Sequence, residues 1–413
     1  MTAKKDKTRE SFAPSKLLRQ LLQEQPTPFY LYDAQRLHEA CINLRLAFSW
    51  NEGFELCFPA RMNPTPAILR VLADGGCRIL CGSEAELRLA RRAGIDGVRT
   101  IYAPLRADEH AGAYARRIGA AHLIDAPHTL PPVPPEHVIL SVNPGGSLQM
   151  AGRTVWDFEK SKLGMNVDET VSMCRRFQSS GARTIGLAVF LRDQDLEPLR
   201  FYAAQEMLFH LAARLKRELG LAVDSILISG GLGAAYRAAD KTPDMRAVSE
   251  RVRESYETIL LPADVKPKLM LAEGRMLCTN AGALVTRVIA VKRQQTPLVL
   301  LDADCAQLLR EVAFGVSHRI IAPLAPESRP RRLVRVAGSL CDLRDHFSGN
   351  YVLPELKLGE CVMILDTGAD GRSFASNYGG SPGCAEFLIE NGAARCIRKR
   401  QTMDELLASF DAD

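Results

Sequence analysis

About eight short apolar segments alternate with helical ones over roughly 240 residues, and this rhythm limits the possible folds more than any other feature of the chain. Residues 54–58, 78–81, 99–102, 122–124, 138–142, 184–190, 225–228 and 268–271 read as strands. Apolar periodicity predicts helices at 34–48, 66–73, 87–93, 107–118, 169–179, 197–219 and 246–260. Strands that recur in this way, each followed by a helix, predict a (β/α)8 barrel. From Cys278 the rhythm changes. Segments 283–292, 298–301, 332–337, 361–365, 385–389 and 394–398 alternate apolar and polar residues with few helices between them, which predicts a second, mainly β domain. The rhythm places the barrel at residues 34–276 and the β domain at 277–413, with 1–33 as a segment ahead of the barrel.

A chain of 413 residues suits about two domains. Its net charge of +5 is small, and basic pairs such as Arg91-Arg92 and Arg331-Arg332 are scattered, so no nucleic-acid partner is expected. No apolar run approaches the roughly 18 to 20 residues of a membrane span, and the polar first ten residues lack the apolar segment of a secretion signal. Eleven cysteines at irregular spacing fit reduced thiols in a cytoplasm. Cys77 and Cys81 are the closest pair, but no CxxC occurs, and no metal site is expected.

Several positions carry chemistry on their own terms. The strand at 54–58 runs into a Pro-rich turn with Arg61 at its mouth, and Pro66 then starts a helix. Ser229-Gly-Gly-Leu-Gly233 follows a strand and reads either as a phosphate cradle or as a tight turn. Arg275, at the end of the next strand, could bind an anion or form a surface ion pair. Cys341 lies beside Asp342 and Asp345, and such neighbours raise rather than lower a thiol's pKa. Ser83 and Glu86 form a capping-box pattern.

Taken together, the chain resembles the fold-type III pyridoxal-phosphate decarboxylases. Diaminopimelate decarboxylase is the nearest type and ornithine decarboxylase a more distant one. The segments that carry the resemblance are Pro28-Phe-Tyr-Leu-Tyr-Asp33, Val142-Asn-Pro-Gly145, Ser161-Lys-Leu-Gly164, Gly230-Gly-Leu-Gly233, Gly274-Arg275 with Asn280-Ala-Gly282, Leu308-Leu-Arg310, Gly338-Ser-Leu-Cys341, Gly368-Ala369 and Ser376-Asn-Tyr378. The resemblance implies an alanine-racemase-like barrel with a β domain that residues 1–33 join to the C-terminal third, a cytoplasmic homodimer, and a lyase of amino-acid metabolism. In such an enzyme a barrel lysine holds pyridoxal phosphate as an aldimine, and the ring stabilises a carbanion.

It also exposes departures. The family's Lys-Ala-Asn motif falls on Arg61-Met62-Asn63, so the Schiff-base lysine is Arg61, a guanidinium that cannot serve as an amine nucleophile. The histidine that stacks on the cofactor ring falls on Phe190, and a phosphate-binding serine falls on Asp193. The carboxylate that keeps the ring nitrogen protonated falls on Ala272, and the phosphate-binding tyrosine falls on Asp370. The family's cofactor positions are retained at Gly230, Gly231, Gly233, Arg275 and Tyr378. Arg310 matches an arginine that binds substrate carboxylate, although its companion tyrosine is Phe314. Cys341 and Asp342 stand at catalytic positions, with Asp where the family has Glu. Lys162 belongs to another family motif and is a weak substitute for the missing lysine.

The resulting expectation is a pseudoenzyme that binds no pyridoxal phosphate. It would act as a regulatory or ligand-binding protein, as a homodimer or as a mixed dimer with an active relative, with an amino-acid-like small molecule as a conceivable ligand. Arg61 is expected to pair with Asp193 or Asp370. The alternatives are an enzyme with cofactor-independent chemistry in the same cleft, or an active amino-acid decarboxylase.

Overall fold

The computed structural model describes residues 12–150, 152–192, 194–237, 239–408 and 410. It divides into two units, one of residues 38–234 and 241–277, the other of residues 1–37, 235–240 and 278–413.

The first unit is a closed barrel. After β1 (Phe29–Asp33) its strands are β2 (Glu55–Pro59), β3 (Arg78–Cys81), β4 (Thr100–Tyr102), β5 (Ala121–Ile124) and β6 (His137–Ser141). A hairpin of β7 (Ser147–Met150) and β8 (Arg153–Asp157) is inserted before β9 (Thr184–Phe190), β10 (Ser225–Ser229) and β11 (Lys268–Ala272). Strands β2 to β6 and β9 to β11 are all parallel, and β11 closes onto β2. Alternate residues point inward, so Cys57, Leu80, Ile101, Leu123, Ile139, Ala188, Leu227, Met270 and Ala272 fill the interior. The hairpin is a departure from the expected strand–helix alternation.

The corner after β2 forms as its residues dictate. Pro59 ends the strand, Ala60–Met62 makes one 3-10 turn, and Pro66 occupies the first turn of helix Pro66–Asp74. The Ser83 cap forms but the box does not close: Ser83 Oγ accepts from Glu86 N–H at 3.3 Å, whereas Glu86 Oε2 accepts at 2.7 Å from the N–H of Gly82, one residue before the cap.

In the second unit β1 lies between two partners. It runs antiparallel to β12 (Gly282–Lys292) and parallel to β18 (Ala385–Glu390). The sheet continues through β13 (Leu298–Leu301), β15 (Arg331–Ala337) and β16 (His346–Pro354) on one side and β19 (Ala393–Arg398) on the other. β17 (Cys361–Leu365) pairs with β12 and with the two-residue β14 (Ile320–Ile321). Phe29, Leu31, Val285, Met363 and Phe387 form its core with Leu18, Leu21 and Leu22 of the amphipathic helix Ser15–Glu24. Burial of a side chain of this size stabilises by about 1.5–3 kcal/mol.

Candidate functional site

In the barrel unit, the carboxyl ends of β2, β10 and β11 bring Arg61, Ser229, Gly230, Ala272, Glu273 and Arg275 around one cleft. This is the end of a parallel barrel where site residues are carried. The cleft encloses only about 20 Å³, which is room for roughly one water.

Arg61 is exposed on its 3-10 turn, with Nη1 3.4 Å from Met62 Sδ. Met62 in turn packs where a side chain on Gly274 would overlap it, so glycine is required there. Glu86 also feels Arg61. Burial holds the Glu86 carboxyl above its usual range, opposed by the Gly82 N–H and by the Arg61 guanidinium. Asp193, one expected partner of Arg61, lies outside the described residues. Asp370, the other, belongs to the second unit, half-buried in a turn at φ 56°.

Ala272 is fully enclosed in the barrel interior beside apolar neighbours, and half-buried Phe190 packs against the same cluster. Neither offers a proton. Glu273, the next residue, is also buried.

The glycine loop keeps the backbone shape of an anion cradle, with φ 74° at Gly230 and 105° at Gly231. A side chain at Gly231 would meet Leu191 at 3.0 Å and would be strained at that φ. Yet several of the loop's amides are engaged internally. Gly230 N–H bonds the Ala272 carbonyl at 3.0 Å, and Gly233 N–H bonds the Asp195 carbonyl at 2.7 Å. Gln194, itself at φ 73°, reaches back to Ala234, its Nε2 donating to the carbonyl at 2.6 Å. The segment after β9 therefore holds the loop through the chain's own groups.

The second unit carries the other candidates. Cys341 is exposed at a loop. Asp342 is tied down by its neighbours. Arg344 grips it with Nη2 at 2.8 Å and Nε at 3.2 Å, and the Tyr378 hydroxyl donates to it at 2.7 Å. The bonds from Arg344 hold the Asp342 carboxyl well below the usual range, and the bond to Asp342 raises Tyr378. Asp345 organises this loop from within. It is buried, and accepts from Cys305 N–H at 2.7 Å and Leu340 N–H at 2.8 Å. Replacing Asp345 with Ala leaves two amides without their acceptor, and should cost about 2–4 kcal/mol. Faster hydrogen exchange in peptides covering 338–346 checks this.

Arg310 is buried, its guanidinium 4.5 Å over the Tyr236 ring and bonded to the Tyr236 hydroxyl. That hydroxyl also meets Thr279 Oγ1 at 3.3 Å. Among the described residues no carboxylate pairs with Arg310. Nothing in the sequence marks Tyr236 as its partner, because they stand 74 residues apart. The sequence motif also leaves Asp345 as a bare acid, and only the fold gives it two amides to hold.

Comparison with known proteins follows from this geometry. The family model for the pyridoxal-dependent decarboxylases, pyridoxal binding domain, matches residues 35–279. Protein TabA of Pseudomonas amygdali pv. tabaci is 30% identical over 401 residues, covering 96% of this chain and 94% of its own. A diaminopimelate decarboxylase of Methanothermobacter thermautotrophicus is 27% identical over 395 residues, covering 94% and 92%. The crystal structure of diaminopimelate decarboxylase from Helicobacter pylori complexed with L-lysine superposes with a TM-score of 0.83 at 22% identity, covering 95% of this chain and 99% of that one. Among the described residues no helix is long and apolar enough to cross a membrane.

Proposed function

Because the chain belongs to the pyridoxal-dependent decarboxylase family, we propose that it is a member without cofactor-dependent decarboxylation, serving as a regulatory or ligand-binding protein. The observation that carries this reading is Arg61 at the corner after β2, lining one cleft with Gly230, Ala272 and Arg275. A pyridoxal group held covalently needs an amine that can lose its proton, and a guanidinium does not provide one.

The rest of the cleft does not fit the group either. Ala272 offers no carboxylate to a ring nitrogen and sits against apolar neighbours. Gly233 N–H is held by the Asp195 carbonyl, and the enclosed space is about 20 Å³. That space also weighs against a different reaction in the same cleft, since small-molecule sites commonly span roughly 300–1,000 Å³.

Binding capacity has better support. Arg310 is a buried cation held by an aromatic face rather than by an acid, an environment that favours an incoming carboxylate. An amino-acid-like ligand bearing a carboxylate is the class that it suits. Leu343, 95% exposed beside Cys341, and the exposed, stacked Phe314 and Phe374 give the second unit an apolar surface suited to a second copy or to an active relative.

The test is spectroscopic. Purified protein mixed with pyridoxal phosphate should show only the spectrum of the free aldehyde, and borohydride should fix no label to the chain. A new absorbance band with label on a lysine would overturn the proposal. A melting shift with L-lysine or diaminopimelate, absent in Arg310→Met, would support the ligand-binding role.

A further inference from the structure

Cys41 and Cys77 are 36 residues apart in sequence, yet their Sγ atoms stand 3.6 Å apart in the barrel unit. Spacing along the chain, where Cys77 and Cys81 stand closest, carries no sign of this contact. Cys41 lies on the helix Ala34–Ala47, and Cys77 lies just before β3. Both side chains are fully buried, and both are free thiols.

The surroundings fix one sulfur and leave a route to the other. Cys77 N–H bonds the Leu72 carbonyl at 3.0 Å, completing the C-cap of the helix Pro66–Asp74, and its carbonyl accepts from Arg99 Nη2 at 3.0 Å. Over the pair lies the half-buried turn Gly75-Gly76. A side chain on Gly75 would come within 2.9 Å of Cys41 Sγ, so glycine lets this turn close over the sulfur. Gly76, at φ +93°, occupies a conformation that other residues rarely adopt. Arg45 follows Cys41 by one helical turn, is exposed, and donates from Nη1 to the Gly75 carbonyl at 3.4 Å. A two-glycine turn and the exposed Arg45 side chain therefore cover the pair.

We propose that Cys41 and Cys77 form a reversible redox-modification site, at which a small hydroperoxide drives an intramolecular disulfide joining the helix Ala34–Ala47 to the entry of β3. The Cys41 thiolate attacks a peroxide oxygen, the O–O bond breaks, and water (or an alcohol, from an organic peroxide) leaves with Cys41 as a sulfenic acid. The Cys77 sulfur then attacks the Cys41 sulfur, the S–O bond breaks, and a second water leaves as the S–S bond forms. The two thiols lose two electrons and two protons in total, and the peroxide is reduced. Cys41 is the attacking sulfur. The hydrogen bond from Cys77 and the charge of Arg45 favour its thiolate and outweigh burial, whereas Cys77 is raised by that same bond and by burial. The sulfurs must close to about 2.05 Å, a movement that the glycine turn permits.

The full-length protein, treated with hydrogen peroxide, quenched, alkylated while unfolded and digested without reductant, provides the test. A linked Cys41–Cys77 peptide should dominate and disappear with dithiothreitol, while buried Cys174 and Cys278 are recovered alkylated. In Cys41→Ser, Cys77 should be recovered as a free thiol. The oxidised wild-type barrel, followed by tryptophan fluorescence, should melt several degrees higher than the reduced protein. Recovery of both cysteines as alkylated thiols, under conditions that oxidise exposed Cys341 and Cys396, would overturn the proposal. So would Cys41 linked to any other cysteine.

Discussion

Arg61→Lys should leave the release of CO2 from diaminopimelate at background, even with saturating pyridoxal phosphate. The substitution returns an amine to the corner after β2, and on a simple reading of the family it would be sufficient. The structure argues otherwise. Ala272 is packed into the barrel interior with Cys57, Leu227 and Met270, and its methyl group offers a ring nitrogen no carboxylate. Phe190 closes the same cluster from the end of β9. Each preorganised electrostatic contact of this kind is worth about 10²–10³ in rate. With at least two absent, the single variant should stay at least about 10⁴-fold below an active relative. Adding Ala272→Glu is not a simple repair. A carboxylate introduced there meets apolar side chains, and burying it unpaired costs stability. The double variant should therefore melt below wild type, before any activity is measured. Radiolabelled CO2 capture with Arg61→Lys decides the matter, and turnover within tenfold of an active relative would show that Arg61 alone blocks the reaction.

The barrel was legible because parallel strands buried on both faces read as continuous apolar runs, such as Ile226-Leu-Ile228 and Leu269-Met-Leu271. β16 was not. His346-Phe-Ser-Gly-Asn-Tyr351 places Gly349-Asn350 where a turn would be read, and the strand tolerates them as an edge with a shifted register against β15. β14, at two residues, is too short to carry periodicity. At the site, Arg61 and the glycine loop stand out by their residue types at strand ends, whereas Ala272 is located only through the family resemblance. Contacts between distant segments left no such trace. The Gln194 reach to Ala234, the Asp345 hold on Cys305 and Leu340, and the Cys41–Cys77 contact all join segments whose spacing in the chain carries no period.

The stability that His318 lends the second unit at neutral pH should be lost as pH falls below about 6.5. His318 is buried, with Nδ1 3.0 Å from the Leu365 carbonyl and its ring edge-on to Tyr236 at 5.3 Å. Burial, reinforced by the charge of Arg310, pushes its pKa down to about 3, against the pull of the Leu365 and Asp366 backbone. An unfolded histidine titrates near 6.5. Below that pH the unfolded chain takes up a proton that the folded state refuses, so the stabilisation present at neutral pH is lost as pH falls from about 6.5 towards 3. At pH 5 the gap is worth roughly 2 kcal/mol, and about 4–5 kcal/mol when the full shift is expressed. Glu311, which burial pushes up to about 8, works in the opposite direction, as do Asp304 and Asp345, since burial raises all three and each gains stability on protonation. Their effect is common to wild type and variant, so the comparison isolates the imidazole. The chain's two tryptophans, Trp50 and Trp156, lie in the barrel unit, and their fluorescence does not follow this one. Hydrogen exchange in peptides covering 310–322 and 361–367 does. Between pH 7 and pH 5 the opening free energy of wild type should fall about 2 kcal/mol further than that of His318→Leu. Parallel pH profiles would show that the folded state takes up the proton at His318 as readily as the unfolded chain, and would overturn this account.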